Sequence, residues 1–187
     1  MIVLASKSPR RQQLMHSITD DFIVDVSDID ESTSLDMSPI EAVMDIAKRK
    51  GLDIVKKHPG KIVISADTIV VIDNMILGKP IDKNDASRML NLLSNRTHKV
   101  ITAFCLLKDD KLYEEYVVSE VTFNKLSQDL IDKYIESGSP MDKAGAYGAQ
   151  DNNDFLIVKE IKGSRDNVIG FPVEEIKKAL TEFEKIT

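Results

Sequence analysis

Hydrophobic and polar positions occur in blocks along the chain, and these blocks predict strands and helices in alternation. Runs rich in β-branched residues are separated by polar turns and by stretches with apolar residues at helical spacing. Because short turns separate two pairs of predicted strands, we expect a sheet that is at least partly antiparallel. The pattern therefore indicates an α/β protein. The predicted strands are residues 2–5, 22–26, 62–72 (interrupted at 66–68), 75–77, 100–107, 112–124 and 155–161.

Helix starts are marked by capping residues. Ser8 precedes a proline at the first helical position, and residues 38–41 have the spacing of a capping box. Asp82 and Ser127 are predicted to cap two later helices. A last helix is predicted near the C-terminus, where apolar residues recur at positions 173, 176, 180 and 183. An acidic, serine-rich loop is predicted over residues 27–37.

Length and composition are those of a soluble globular protein. The 187 residues, of which 42% are hydrophobic and 30% charged, fit one domain over residues 1–187. No apolar run is long enough to span a membrane, and the start of the chain lacks the pattern of a signal peptide. The lone Cys105 excludes an internal disulfide framework and a cysteine metal cage. We therefore expect a cytoplasmic protein.

The charge balance narrows the range of partners. The formal net charge is −6, which argues against the basic footprint that non-specific nucleic-acid binding requires. A small anionic substrate stays compatible with this charge, because salt confines surface fields to roughly 10 Å and a local basic cluster can prevail.

Residues 6–11 form the first candidate site. The sequence Ser6-Lys7-Ser8-Pro9-Arg10-Arg11 connects a strand to a helix N-terminus, where free N–H groups and the helix dipole favour an anion. Arginine suits phosphate because its guanidinium donates two parallel hydrogen bonds. The alternative is an ordinary helix cap with solvated arginines.

Asp67 is the second candidate, because a carboxylate within a strongly apolar strand is costly to bury unless it is paired or binds a metal. A structural aspartate is the alternative interpretation. With no His or Cys cluster in the sequence, any catalytic metal should be a hard cation such as Mg²⁺ or Mn²⁺.

Residues 139–150 form the third candidate. The segment consists largely of small side chains without helical or strand period, and its glycines suggest backbone packed against a ligand. Gln150 can act as both donor and acceptor toward a nucleobase. A purely structural loop is the alternative.

Together these motifs resemble the Maf family of nucleotide pyrophosphatases. The match runs in order from Leu4 to Pro172, and five motifs in sequence are far more specific than any one of them. They are Leu4-Ala5-Ser6-x-Ser8-Pro9-Arg10-Arg11, Ala66-Asp67-Thr68, Leu77-Gly78-Lys79-Pro80, Asp142-Lys143-Ala144-Gly145-Ala146-Tyr147-Gly148 and Asn167-Val168-Ile169-Gly170-Phe171-Pro172.

The resemblance implies metal-dependent hydrolysis of a nucleoside triphosphate to the monophosphate and pyrophosphate, which removes unwanted nucleotides from the pool. It also implies a bent mixed β-sheet flanked by helices, with two lobes around a central cleft, related to the inosine triphosphatases. A homodimer is compatible with it. Asn74, Asn95, Ala103 and Arg165 depart from the residues usual in the family and leave the breadth of substrates open.

The family's functional positions fall on residues of this chain. The proton acceptor corresponds to Asp67, and phosphate-binding positions correspond to Ser8, Arg11, Lys50, Lys79 and Lys143. The metal positions correspond to Glu31, Asp67 and Asp142, with Mg²⁺ or Mn²⁺ as the implied ion. Arg10, Thr68 and Gln150 match the type that acts on dTTP and UTP, whereas the type resembling a 7-methyl-GTP pyrophosphatase has Trp, Gln and Glu there.

Other function classes stay open. A pyrophosphatase for 7-methyl-GTP or another modified nucleotide would share the reaction. A nucleotidyltransferase shares an N-terminal strand, a phosphate loop with arginine and a metal-binding aspartate, but needs a second acceptor substrate. A non-catalytic nucleotide-binding regulator of cell division would bind nucleotide without turnover.

Overall fold

Strands and helices alternate along the chain in the computed structural model, which describes residues 1–34 and 36–186. The strands are β1 (Ile2–Ala5), β2 (Phe22–Val24), β3 (Ile62–Ile72), β4 (Met75–Leu77), β5 (Thr97–Lys108), β6 (Lys111–Phe123) and β7 (Val158–Lys162). The α-helices are α1 (Pro9–Met15), α2 (Pro39–Val55), α3 (Lys83–Leu93), α4 (Gln128–Glu136), α5 (Asn152–Phe155), α6 (Arg165–Ile169) and α7 (Val173–Ile186). Short 3₁₀ turns occupy Ser139–Asp142, Ala144–Ala146 and Ala149–Asp151.

The seven strands of the described residues form one mixed sheet in the order β2-β1-β3-β5-β6-β7, with β4 paired to β3. β1 is parallel to both β2 and β3, with Leu4 opposite Val24 on one side and Ile64 on the other. The β3–β4 and β6–β7 pairs are antiparallel. The prediction of a mixed α/β fold is therefore confirmed.

The predicted caps and the hairpin turn are confirmed. Ser8, Ser38, Asp82 and Ser127 each accept a hydrogen bond from the backbone N–H three residues later, and Ser38 forms the complete capping box. The turn between β3 and β4 has positive φ at Asp73 (50°) and Asn74 (62°), as a two-residue hairpin of this hand requires.

Some predicted boundaries are wrong. β3 is continuous through Asp67, and β2 ends at Val24. β7 begins at Val158 rather than at Phe155, because Phe155 ends the one-turn helix α5. Leu35, within the predicted loop, lies outside the described residues. No helix in residues 1–34 and 36–186 combines the length and apolarity needed to cross a membrane.

The chain divides into two compact units, each assembled from separated segments. The first unit comprises Met1–Asp67, Thr102–Val117 and Gly170–Thr187, and the second comprises Thr68–Ile101 and Val118–Ile169. Each unit has its own core. The core of the first includes Leu4, Met15, Ile64, Phe104, Leu106, Phe171, Ile176 and Phe183, and that of the second includes Val70, Leu90, Val121, Phe123, Ile131, Tyr134, Tyr147 and Ile157. Cys105 is buried, and burial raises its pKa to about 12, so its thiol acts as packing.

His98 is a buried polar residue in the core of the second unit. Its Nε2 lies 2.7 Å from the hydroxyl of Tyr147, and its ring packs edge-on against Phe123. Desolvation by burial lowers the pKa of His98 from 6.5 to about 4. The imidazole is therefore neutral in the folded protein near neutral pH.

This burial predicts a specific pH dependence of stability. Between about pH 6.5 and pH 4 the unfolded chain binds a proton at His98 that the folded chain does not, so the free energy of unfolding falls as the pH falls. Protonation of the unfolded chain at His98 lowers the free energy of unfolding by roughly 3 kcal/mol between pH 6.5 and pH 4. Above pH 6.5 the folded protein keeps this stability in full. Urea unfolding of wild type and His98→Gln from pH 7 to pH 4 measures it as the difference in slope. The exposed His16, replaced by Gln, is the matched control and should keep the wild-type slope; equal slopes for wild type and His98→Gln contradict the prediction.

Candidate active site

Asp67 lies on β3, where it is the last residue of the first segment of the first unit, and it is paired with a lysine of α2. Its side chain is 13% exposed, and its Oδ1 accepts a hydrogen bond of 2.8 Å from Nζ of Lys50. The preceding residues Ser65 and Ala66 are completely buried. A carboxylate in such surroundings requires a partner, and the ammonium group of Lys50 supplies it.

Lys50 also contacts a second carboxylate. Its Nζ lies 3.0 Å from Oε1 of Glu31, whose side chain is 54% exposed and belongs to the segment after β2. Two carboxylates thus converge on one ammonium group, and the three groups carry a net charge of −1. This arrangement favours the approach of a further cation.

Close packing of α2 brings Lys50 to the sheet. A Cβ atom on Gly51 would lie 2.3 Å from Cδ1 of Leu107 and 2.7 Å from Oγ of Ser65, so only glycine fits here without displacing its neighbours. Ser65 Oγ in turn donates a 2.7 Å hydrogen bond to the carbonyl of Ala47. Gly51, the residue after Lys50, therefore allows α2 to lie close to β3.

Arg11 of α1 is tied to the backbone beside Asp67. Its Nε donates to the Gly170 carbonyl at 2.8 Å, and its Nη1 donates to the Ala66 carbonyl at 2.8 Å. Burial lowers the pKa of Arg11; Asp67 and Glu31 act against this shift. Arg11 thus places a half-buried guanidinium next to the residue that precedes Asp67.

The segment of residues 6–11 forms the predicted strand-to-helix turn. Ser8 is the N-cap of α1, and its backbone N–H donates to Oγ of the buried Ser6 at 3.2 Å. Ser6 also accepts a hydrogen bond from Arg11 at 3.4 Å. The role of Ser6 was not predicted, because a small residue between a strand and a cap carries no signal of its own.

In the second unit, one backbone hydrogen bond joins two of the sequence motifs. Gly145 donates its N–H to the carbonyl of Gly78 at 3.0 Å, which places the segment containing the exposed Lys79 beside residues 142–148. Gly145 has φ of 69°, and a Cβ there would lie 2.9 Å from Cγ2 of Val70. Both facts require glycine at this position.

Lys143 is a buried cation in this loop. It is 8% exposed, and its Nζ contacts Asp142 Oδ1 at 2.9 Å, Ser139 Oγ at 3.0 Å and the Ser139 carbonyl. Asp151 Oδ2 lies 3.9 Å away. The predicted phosphate-binding lysine and the predicted metal-binding Asp142 are thus direct partners.

Gly148 brings Lys143 and Gln150 together. A Cβ on Gly148 would lie 2.7 Å from Cε of Lys143 and 2.8 Å from Nε2 of Gln150. The Oε1 atom of Gln150 is buried, and among the residues that the structure describes no donor reaches it. A buried acceptor without a partner is costly unless a ligand supplies the missing donor.

Tyr134 and Asp151 hold this loop in place, and sequence reasoning missed both roles. Asp151 Oδ2 accepts hydrogen bonds from the Tyr134 hydroxyl at 2.6 Å and from Ser139 Oγ at 2.7 Å. The Tyr134 hydroxyl accepts from the N–H of Gly148 at 3.0 Å. Burial and the bond to Asp151 raise the pKa of Tyr134. In the sequence, Tyr134 is visible only as part of the apolar face of α4.

The donor set suits a hard cation that shares its coordination with a substrate. Within residues 1–34 and 36–186, His, Cys, Asp and Glu side chains form no group of three or more that could hold a metal ion. Glu31 and Asp67 nevertheless converge on one positive charge, the Lys50 ammonium. Mg²⁺ is commonly held by one or two carboxylates together with substrate phosphates, and this pair fits that pattern.

The predicted site residues form one group in each of the two units. The first unit brings together Glu31, Lys50 and Asp67, with Arg11 bonded beside Asp67. The second unit brings together Asp142, Lys143 and Gln150, with Lys79 next to the same loop, whereas the half-buried Thr68 belongs to β3.

Comparison with known proteins gives a consistent result over nearly the whole chain. The family model described as "Maf-like protein" matches residues 1–183. A dTTP/UTP pyrophosphatase from Symbiobacterium thermophilum is 42% identical over 182 residues, covering 97% of this chain and 93% of that protein. Proteins with the same name from Thermococcus onnurineus and Clostridium botulinum (strain Eklund 17B) are 44% and 43% identical, over 95% and 97% of this chain and 95% and 98% of their own lengths.

A solved structure shares the fold. The structure of a HAM1 protein from Coxiella burnetii matches with a TM-score of 0.53 at 17% identity, covering 97% of this chain and 98% of the other. At this level of identity the likeness concerns the fold alone.

Proposed function

The chain belongs to the Maf family, and from this premise we propose that it hydrolyses nucleoside triphosphates, above all dTTP and UTP, to the monophosphate and pyrophosphate. The observation that carries the proposal is the Lys50 ammonium held between the nearly buried Asp67 and the half-exposed Glu31, two carboxylates with one cation between them. Relatives of 41–44% identity that bear the name dTTP/UTP pyrophosphatase support the same reaction.

In the proposed reaction a water molecule attacks the α-phosphorus. A new phosphorus–oxygen bond forms as the bond between the α-phosphorus and the α–β bridging oxygen breaks, and pyrophosphate leaves. Asp67 accepts the proton of the attacking water. Lys50, held 2.8 Å from Asp67, fixes the orientation of this carboxylate.

The charge on the triphosphate requires cations. We assign phosphate binding to Ser8, Arg11, Lys50, Lys79 and Lys143, because fixed ammonium and guanidinium groups stabilise the charge that develops on the departing pyrophosphate. Lys143 is preoriented for this role by its contacts with Ser139 and Asp142.

Glu31, Asp67 and Asp142 are the residues that we expect to hold a divalent cation, Mg²⁺ or Mn²⁺. When bound, such a cation withdraws charge from phosphate oxygens and makes water a stronger acid. Glu31 and Asp67 are kept near one another by Lys50.

Recognition of the base is assigned to Arg10, Thr68 and Gln150. The buried Oε1 of Gln150 needs a donor, and the imide N–H of uracil or thymine is such a donor. Cytosine has an unprotonated ring nitrogen at the equivalent position, so it leaves this acceptor without a partner. The chemistry of Gln150 therefore supports a preference for dTTP and UTP over CTP.

We further propose that residues 1–187 act as one Maf-like domain in the cytoplasm and remove surplus nucleotides from the pool. The ligand is a small nucleotide, with no nucleic-acid or membrane partner. A homodimer is compatible with this function. Sedimentation of the purified protein measures the oligomeric state.

Pyrophosphate release from dTTP, UTP, CTP, GTP and 7-methyl-GTP, with Mg²⁺ or Mn²⁺, tests the proposal. We expect kcat/KM to be highest for dTTP and UTP. Preference for 7-methyl-GTP would keep the reaction but overturn the assignment of base selectivity. Release that requires a second acceptor substrate indicates a nucleotidyltransferase, and binding without any release indicates a non-catalytic regulator.

Gln150→Ala should lower kcat/KM for UTP by about 10- to 100-fold, because the mutant loses a buried hydrogen bond to the imide N–H. The effect on CTP should be much smaller, so the UTP/CTP ratio of kcat/KM falls. Gln128→Ala, at an exposed glutamine bonded to Asp132, is the matched control and should leave the ratio unchanged. An unchanged ratio in Gln150→Ala contradicts the role of Gln150.

A further inference from the structure

Arg49, the residue before Lys50 on α2, binds the backbone on both sides of Glu31. Its Nη1 donates a hydrogen bond to the carbonyl of Asp30, and its Nη2 donates to the carbonyl of Ser32 at 2.9 Å. Glu31 lies between these two carbonyls and contacts the Lys50 ammonium with its side chain. The segment is therefore attached to α2 at three successive residues.

The guanidinium of Arg49 is itself oriented from within α2. Asp45, one helical turn earlier, accepts a 2.7 Å hydrogen bond from Nε of Arg49. With Nε fixed, the planar group can present its two terminal nitrogens to the two carbonyls in a set geometry. Lysine could not do this, because its single ammonium lacks a rigid pair of donors.

Glu31 needs such support from its surroundings. It lies in a segment without regular secondary structure, and its side chain is 54% exposed. Ordering a glutamate side chain and its backbone costs conformational entropy. Hydrogen bonds to the flanking carbonyls order the backbone before any ligand arrives.

We infer that Arg49 is a positioning residue that holds Glu31 ready to ligate a divalent cation beside Asp67. The inference rests on the proposed function, in which Glu31 contributes to cation binding. Arg49 does not touch the cation or the nucleotide; it acts through the backbone of residues 30–32. Its loss therefore weakens cation binding only as far as Glu31 contributes to it.

The test is a double-mutant cycle of Arg49→Ala and Glu31→Gln with two measurements. The first is binding of Mn²⁺ in the presence of the non-hydrolysable analogue α,β-methylene-dUTP, followed by electron paramagnetic resonance of free Mn²⁺. The second is the Mn²⁺ concentration that gives half-maximal pyrophosphate release. Removing an outer-shell partner typically costs 10–100-fold in metal affinity, so we expect a shift of about 10-fold in both for Arg49→Ala.

In the Glu31→Gln background, Arg49→Ala should add less than about 2-fold, because the residue through which it acts is already lost. Arg49→Lys should behave like Arg49→Ala. Because Arg49→Lys keeps the positive charge, it is the variant to measure if Arg49→Ala does not fold. Arg88→Ala is the matched control, since Arg88 is exposed and bonds the carboxylate of Asp85 in its own helix, and it should match wild type.

The outcomes separate the inference from the proposed function. Equal effects of Arg49→Ala with and without Glu31, wild-type behaviour of Arg49→Ala, or rescue by Arg49→Lys would each overturn the inference while pyrophosphate release stands. If wild type releases no pyrophosphate from any triphosphate, the proposed function fails, and the Mn²⁺ binding cycle still decides whether Arg49 positions Glu31.

Discussion

Asp67→Asn will lower kcat for UTP by about 1,000-fold, the middle of the range expected when a general base is removed. Asparagine keeps the shape of the side chain but cannot accept the proton of the attacking water. Nucleotide binding does not depend on that proton transfer, so the affinity for α,β-methylene-dUTP, measured without divalent cation because Asp67 is also a proposed cation ligand, should change by less than about 5-fold. Single-turnover rates and equilibrium binding of the analogue, measured on the same protein, separate the two effects.

Asp53→Asn is the matched control for this substitution. Asp53 is a carboxylate of α2 in the same unit, and it pairs with Lys57 in the turn after the helix, at 3.3 Å. Its loss should leave kcat at the wild-type value. Turnover of Asp67→Asn within about 10-fold of wild type would remove Asp67 as the proton acceptor.

Lys50→Met will have the second largest effect, and it will act on both stability and turnover. The ammonium is the shared partner of Glu31 and Asp67, and the side chains of Lys50 and Asp67 are 11% and 13% exposed. Removing one member of a nearly buried ion pair costs about 3 kcal/mol or more, because the other charge is left without compensation. Loss of a fixed cation at the phosphate should also lower kcat/KM by about 100-fold.

Urea unfolding at pH 7 and steady-state kinetics measure the two effects of Lys50→Met. Lys57→Met, which removes a half-exposed lysine from the turn that follows the same helix, should change stability by no more than about 1 kcal/mol and leave kcat/KM unchanged. The stability loss of Lys50→Met should shrink in the Asp67→Asn background, because the nearly buried carboxylate is gone and only the half-exposed Glu31 still loses its partner. An undiminished loss in that background would show that the methionine disturbs packing instead.

Local signals predicted most elements of this fold. Ser38 and Glu41 mark the start of α2, and Asp73 and Asn74 mark the hairpin, because caps and tight turns depend on residues close in sequence. The helices α5 and α6 were not predicted, since one turn of helix contains too few residues to show a period. The predicted start of β7 was wrong for the same reason.

The candidate site was predictable only in part. Motif resemblance pointed to Asp67, Lys79 and Lys143, which lie within contiguous sequence signatures. The pairing of Lys50 with Asp67 and Glu31 depends on how α2 packs on the sheet, and Gly51 permits that packing without any visible pattern in the sequence. Such contacts between distant segments follow from tertiary packing, which a single sequence does not reveal.

The absence of a side chain at Gly148 limits how base selectivity can be redesigned. Because Lys143 and Gln150 both lie against this one position, any larger residue there displaces the two side chains at once. A substitution at position 148 would then change base preference and phosphate binding together. A directed-evolution library that aims to change the accepted base while keeping turnover should therefore vary Thr68 and Gln150 and leave codon 148 fixed.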